Sequence, residues 1–419
     1  MRPLRILLVG VGTVGEAIAV ISRDRPWIET LVLADYDLER ARRVAARLGA
    51  GESGSDAERR YPAERIDARD KGGVVKLARK HGVDLVMNAA DPRFIPAIFG
   101  AALEAGCDYV DMATSLSERH PSDPFRQPGV LLAAHQFAQH ERWLAAGRLA
   151  VLGIGMDPGL TDVFARHAAD DLFDEIDEIH VRDGGDLEIR GYPFAPVFSI
   201  WTTIEECLNP PLVWEKGRGF STTEPFSAPE AFVFPEGIGP VECVNVEHEE
   251  VVLIPRAVDC RKVTFKYALG ADFIAVLRTL HRLGLDSTKP VTVKGVEVAP
   301  RDVVAALTPD PASVGDRMVG RAIVGTWVIG RKDGQARAVY LYQKTVAEEC
   351  WRDLRLQAVG WQTGFNPVIA MELLASGAWS GTGVLGPESF PAAPYLAALE
   401  RHGIHWAMEE REPGASTPT

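Results

Sequence analysis

Cysteine is scarce in this chain, and the little there is does not pair. Cys107, Cys207, Cys243, Cys260 and Cys350 are odd in number, widely scattered and form no Cys-x-x-Cys motif. That argues against a disulfide framework and a sulfur-ligated zinc site, and leaves reduced thiols. The closest histidine pairs of interest, His135 with His140 and His402 with His405, have no acidic or cysteine partner at ligand spacing, so no metal is expected. Long apolar runs are also missing, and nothing approaches the roughly 20 residues of a membrane span. With a strand beginning almost at the first residue, the chain is expected in the cytoplasm with no membrane partner. Positive charge is short as well: the formal net charge is −13 and no Lys/Arg cluster is dense, which argues against a nucleic-acid partner. No internal repeat is present. What remains, 46% hydrophobic and 25% charged over 419 residues, is the balance of an ordinary globular protein with room for two or three domains.

The most informative stretch is LRILLVGVGTVG, residues 4 to 15. Its apolar half is too short for a helix and reads as a buried parallel strand. The glycines at 10, 12 and 15 match G-x-G-x-x-G and lead into a helical stretch from Thr13 to about Asp24. Such a loop aims free backbone N–H groups and a helix N-terminus at an anion. Gly10 permits the turn, Gly12 removes the Cβ that would block a pyrophosphate, and Gly15 lets helix and strand sit close. A second apolar run, TLVLAD, ends at Asp35, twenty residues after the third glycine, where a carboxylate meets an adenosine ribose. The expected cofactor is therefore NAD rather than NADP, held by Gly10, Gly12, Thr13, Val14, Gly15, Asp35 and Tyr36.

Strand and helix alternate onward. LERARRVAARLG is a second helix, 50–61 reads as a surface loop, and Ile66 with Asp67 marks a third strand, with Asp67 at the cofactor edge. A helix from Gly72 to Lys80 leads to a fourth strand, DLVMNAA, whose Asn88, Ala89 and Ala90 stand where open α/β sheets place ligands. A helix from Ile95 to Ala105, a fifth strand ending at Asp111, a long helix through His140 to Ala146 and a sixth strand near Gly155 complete a doubly wound parallel sheet. From Met156 the pattern becomes β-rich, with a Lys-Asp-Gly hairpin turn at 332–334 and helices near 271–283 and 300–307. The domain expectation is a dinucleotide-binding unit over 1–155, an α+β unit of mixed, largely antiparallel sheet over 156–354, and a helical segment over 355–419 that returns to the first unit. The tail from Glu412, rich in Pro, Ser and Thr, is expected to fray. The long β runs predict a homodimer through the second sheet.

LLVGVGTVG, LADYDLERA, DLVMNAA, YVDMA, GMDPGLTDVFA, TGFNPVIAMELLASG and GVLGPE, in that order, resemble the saccharopine dehydrogenase-like family of amino-acid oxidoreductases. The resemblance spans nearly the whole chain and implies a Rossmann-type domain followed by a substrate domain. LADYDL, PVFSIWTTIEECLNPPLVWEKG and KGVEVAPRDVV are similar to lysine 6-dehydrogenase, which oxidises the side-chain amine of lysine with NAD. DPGLTDVF, the HEE at 248–250 and LTPDPASVG at 307–315 are similar to carboxynorspermidine dehydrogenase, which reduces an imine of an amino-acid semialdehyde and a diamine. The first expectation is oxidative deamination of the lysine type, and the second is imine reduction. A non-enzymatic dinucleotide sensor or scaffold is the reading from a different class.

All these reactions exchange a hydride with a carbon bonded to nitrogen, on a small amino acid or amine. Asp111 and Asp157 leave strands on the ligand-binding edge and are the catalytic candidates. Asp157 either meets the reacting nitrogen or an ammonium, or caps the helix that follows; Asp111 is either functional or a structural acceptor. A Lys such as Lys266, or Arg190, Arg256 or Arg261, would hold a substrate carboxylate. Tyr192, Phe194 and Phe198 would wall the pocket.

Overall fold

The computed structural model describes residues 1–51 and 53–413, so residues 414–419 of the tail expected to fray lie outside the described residues. The apolar run Leu4–Val9 forms β1, followed by α1 (Thr13–Ser22), β2 (Ile28–Asp35) and α2 (Leu38–Leu48). Asp37 caps α2 by accepting from the N–H groups of Glu39 and Arg40. The 50–61 stretch, expected to be a loop, contains α3 (Gly54–Arg60), because Ser53 supplies a side-chain cap to the Asp56 N–H. β3 (Ala63–Arg65) lies just before Ile66, and α4 (Lys71–His81), β4 (Leu85–Asn88), α5 (Ile95–Ala105) and β5 (Asp108–Asp111) continue the alternation. The long helix expected through His140 is two short ones, α6 (Ala134–Phe137) and α7 (His140–Ala145), followed by β6 (Leu149–Val151).

β1 lies between β2 and β4, with β3 beyond β2, and with β5 and then β6 beyond β4. A seventh strand that the sequence pattern did not suggest, Gly383–Leu385, adds to β6, and all pairings are parallel. The chain order reverses at β1 and β4, which opens a crevice at the carboxyl edge there.

After β6 the chain turns through Met156–Gly159 into α8 (Leu160–His167) and enters the second sheet at β7 (Glu175–Gly185). β7 pairs parallel with Lys262–Tyr267 and antiparallel with Arg321–Lys332, which returns through the Asp333-Gly334 turn into Gln335–Val346. Both turn residues have positive φ, +50° and +73°, as a two-residue hairpin turn requires. One face of this sheet carries Ile179, Val181, Val263 and Phe265 into the main core. On the other face, Phe232 and Phe234 of the Glu230–Phe234 strand pack with Trp327 and Tyr340.

The C-terminal segment divides between the two lobes. Helix Ala358–Ser376 packs on α1, and strand Gly383–Leu385 joins the first sheet, but strand Trp406–Arg411 pairs with Gln335–Val346 in the second. Alternation in that last strand leaves polar residues at a sheet edge, where their backbone groups need a partner and their side chains reach solvent. No helix among the described residues is long and apolar enough to cross a membrane.

Candidate active site

The glycine loop is built by close packing at two positions and left open at the third. A Cβ at Gly10 would lie 2.7 Å from the Ala89 carbonyl oxygen, and one at Gly15 would lie 2.1 Å from that of Gly10. At Gly12 a Cβ would meet no atom within 4 Å. The protein's own packing therefore does not need this glycine, and the cradle it leaves faces the uncapped first turn of α1. There the N–H groups of Thr13, Val14 and Gly15 have no intrahelical partner, which suits a diphosphate. Behind α1, Gly360 and Gly364 of the C-terminal helix come so close that added Cβ atoms would sit 2.7 Å from Thr13 Cγ2 and 2.9 Å from Ala17 Cβ. The four-residue spacing of these two glycines was the signal available in the sequence for this buttress.

Asp35 accepts from the Val11 N–H at 2.7 Å and the Asp37 N–H at 2.9 Å, so its carboxylate ties the glycine loop to the end of β2 and keeps one lone pair per oxygen for a ribose. Tyr36 is exposed, with the Arg65 guanidinium 5.4 Å from its ring. Asp67 is engaged by Arg69, whose paired hydrogen bonds hold its pKa down at about 2. Asn88 donates to the Tyr109 hydroxyl and accepts from the Ala90 N–H, which shapes the end of β4 beside Ala89.

The two catalytic candidates separate. Asp111 is sealed: it accepts from the Gly153 N–H at 2.7 Å and from Gln136 at 2.8 Å, and burial raises its pKa to about 7. It joins β5 to the chain leaving β6 and is not presented to a ligand. Asp157 is half-buried, and it caps nothing. Asp162 reaches back to the Gly159 N–H at 2.8 Å and does the capping instead. The turn is pinned by Gly155 N–H to the Pro158 carbonyl at 2.7 Å, and a Cβ at Gly159, where φ is +138°, would lie 2.1 Å from the Gly155 carbonyl oxygen.

Around Asp157 the second lobe gathers groups that the sequence reading passed over. Asp183 stands beside Asp157 and the Tyr267 hydroxyl, on the face of β7 that also carries Ile179 and Val181. A charged residue at an inward position of an alternating strand was the available signal. Glu206 enters from helix Ile200–Leu208, and His248, Glu249 and Glu250 from the segment before Ile254. Burial, reinforced by neighbouring carboxylates, raises Asp157 well above the carboxylate range and Glu206 to about 8, and burial raises Asp183 to about 7 against the opposing effects of His248, Asp157 and the Tyr267 hydroxyl. Asp157, Asp183 and Glu206 have solvent-reachable carboxylates, while Asp162 and Glu388 each keep one sealed oxygen without a partner. Glu249 accepts from the Thr114 N–H at 3.1 Å, which joins the second lobe to the loop beyond β5. Trp201 lies between Arg93 of the first lobe, 3.5 Å away, and Arg301, 4.4 Å away. Among the described residues no group of three or more His, Cys, Asp or Glu side chains is arranged to hold a metal ion.

The candidates for a substrate carboxylate lie elsewhere. Lys266 is on the opposite face of its strand from Tyr267 and is spent on Glu230, at 2.5 Å, and the Ala228 carbonyl. The alternation of side chains along a strand is the reason. Arg190 is exposed beside Arg317, and Tyr192 lies under the Arg317 guanidinium at 5.4 Å. Phe194 stacks on Phe273, and Phe198 is half-buried just before helix Ile200–Leu208. Arg256 stacks on Phe137, and Arg261 pairs with Glu175 and Asp177.

A glycine cradle at the switch point of a parallel sheet, with a second lobe that reaches the loop beyond β5 through Glu249 and gathers carboxyl groups around Asp157, fits a two-lobed oxidoreductase that uses a nicotinamide dinucleotide. Residues 6–151 match the saccharopine dehydrogenase NADP binding domain and residues 155–404 the saccharopine dehydrogenase C-terminal domain. The chain belongs to the saccharopine dehydrogenase family. It is 29% identical over 415 residues to a carboxynorspermidine synthase of Vibrio cholerae, covering 98% of each chain. It is 28% identical over 405 residues to a carboxyaminopropylagmatine dehydrogenase of Synechocystis, covering 96% of each. Apo saccharopine dehydrogenase (L-Glu forming) of Saccharomyces cerevisiae has the same fold, with a TM-score of 0.66 and 15% identity over 98% of this chain and 100% of that one.

Proposed function

We propose that this enzyme reduces the imine formed between an amino-acid semialdehyde and a diamine, giving a carboxylated polyamine. The observation that carries this reading is that Asp157, Asp183 and Glu206 are half-buried together and that, among the described residues, no Lys or Arg pairs with them. Burial raises their pKa values, neighbouring carboxylates add to the rise at Asp157 and Glu206, and the ligand that relieves them is polycationic. A product with three amines and one carboxyl carries a net charge of about +2, against about +1 for lysine. That difference favours the polyamine over the lysine reaction. The names of the two relatives support it, since each denotes an amine extended by a carboxylated arm.

In this reading Gly10, Gly12 and the first turn of α1 hold the diphosphate, and Asp35 holds the ribose. The bound dinucleotide supplies the hydride. Asp157 and Asp183 receive the remote ammonium, and Glu249 on Thr114 keeps the lobes in register. At the end of β2 the carboxylates of Asp35 and Asp37 outnumber the Arg65 guanidinium, so NAD is favoured over NADP. Fluorescence titration is expected to give a lower Kd for NADH than for NADPH, and the opposite order would overturn the preference.

The test of the function is loss of NADH absorbance with aspartate semialdehyde plus 1,3-diaminopropane, putrescine or agmatine, beside formation of NADH from lysine. Turnover with an amine pair and none with lysine is expected. Lysine as the better substrate would reverse the assignment.

A further inference from the structure

Resting on that reading, we infer that His248 is the proton donor to the imine nitrogen and that Glu250 is the residue that positions and charges it. His248 Nδ1 donates to Glu250 Oε2 at 2.5 Å, and the second Glu250 oxygen accepts from Thr161 Oγ1 at 2.9 Å. Glu250 is fully buried, so its orientation is set by these two bonds. The imidazole stacks on Phe265 with ring centroids 3.8 Å apart and planes within 8°. That leaves the ring one direction in which to act. Nε2 bonds to nothing among the described residues, yet it is not sealed from solvent, and Asp157 lies close enough to the ring to act on its charge.

The titratable groups around His248 come from every element packed against it: Asp157 from the interlobe turn, Asp162 from α8, Asp183 from β7, Glu206 from helix Ile200–Leu208, Tyr267 from the strand on which the ring stacks, and Glu249 and Glu250 from its own segment. All but the Tyr267 hydroxyl are carboxyl groups. Burial disfavours the imidazolium, but Glu250, Glu249 and Asp157 outweigh it and hold the pKa well above the ordinary histidine value. The carboxyl groups around the ring therefore favour the imidazolium over the neutral imidazole.

An imine accepts hydride readily only after its nitrogen is protonated. The Nε2 proton passes to that nitrogen, the C–N π bond breaks as the carbon takes the hydride of the reduced dinucleotide, and a C–H and an N–H bond have formed. The amine product is reduced, the dinucleotide is oxidised, and His248 is left neutral, to be recharged from solvent through the cleft. General acid catalysis of this kind contributes about 10²- to 10⁴-fold.

The experiment compares the full-length enzyme with His248→Gln and Glu250→Gln in the imine-reducing assay, with Kd for NADH and KM for the diamine measured on each. His248→Gln is expected to lose at least about 100-fold in kcat, with NADH affinity within about threefold. A kcat within about threefold of wild type overturns the assignment. Glu250→Gln is expected to move the alkaline fall in kcat to lower pH by more than about one unit, which a merely structural role would not do; an unmoved limb counts against it. Should His248→Gln not fold, imidazole ¹⁵N NMR of the wild-type chain decides: a His248 titrating near 6.5 overturns the proposal, and one well above supports it. Failure of the wild type to reduce any amine pair removes the proposed function itself, and this inference falls with it.

Discussion

Asp111 and Asp157 lie beside paired strands on one edge of one sheet, and they end in opposite states. Asp111 spends both oxygens on Gly153 and Gln136, while Asp157 is held out by a turn whose own capping is done by Asp162. Position in the sequence could not separate them, because both follow an apolar strand. Asp157→Asn should lower turnover by more than threefold, a barrier change above about 0.65 kcal/mol, and leave the NADH Kd unchanged. Turnover within threefold would show that the carboxylate is not needed for chemistry. Lys266 teaches the complementary lesson: its neighbour Tyr267 reaches the cleft, and one step of strand alternation puts the lysine on the other side.

At the scale of elements, the glycine loop separates into packing and binding roles that one sequence motif does not distinguish. Gly12→Ala adds a methyl to open space, so its stability cost is the lost preference at a helix cap, about 1 kcal/mol, or about 1 °C in Tm for a chain of this length. Its NADH Kd should weaken at least tenfold. Gly15→Ala meets the Gly10 carbonyl and should lose both stability and binding. Thermal melts with NADH titrations check the contrast, and equal Tm losses for the two would contradict it. The second sheet holds a different charged element on its far face, where Glu230 joins Arg182 at 2.6 Å and Lys266 at 2.5 Å. Glu230→Gln leaves two buried cations undercompensated and should cost about 3–5 kcal/mol, with the diamine KM unchanged. A raised KM with normal stability would place this triad in the substrate site.

Across the whole molecule, buried carboxyl groups dominate the response to pH. Burial raises Asp111, Asp183 and Glu247 to about 7 and Glu206 and Glu388 to about 8. Unfolded, these groups titrate near 4, so between about pH 4 and 8 the folded chain binds more protons than the unfolded one. The stability they contribute is present at low pH and is lost as pH rises through 7 and 8. The Tm of the ligand-free protein should therefore fall between pH 6 and 8.5, and 1,3-diaminopropane should offset part of the fall. A Tm that is flat or rising over that interval would contradict this.

Periodicity and local chemistry are short-range signals, and they account for what the sequence determined alone. The apolar runs, the glycine spacing and Asp35 specified a doubly wound dinucleotide domain, and the change in pattern at Met156 marked the start of a second, sheet-rich lobe. Tertiary structure decided the rest. Gly383–Leu385 is too short to be recognised until β6 offers it an edge, and Trp406–Arg411 lies in the second sheet because that is where an unpaired edge remained. The cleft is assembled from residues 157, 183, 206, 248 and 267, scattered over about a hundred positions in three secondary-structure elements and two connecting segments. No local pattern carries that information, because what brings carboxylates and an imidazole together is the packing of one lobe's sheet against the other lobe's strand ends.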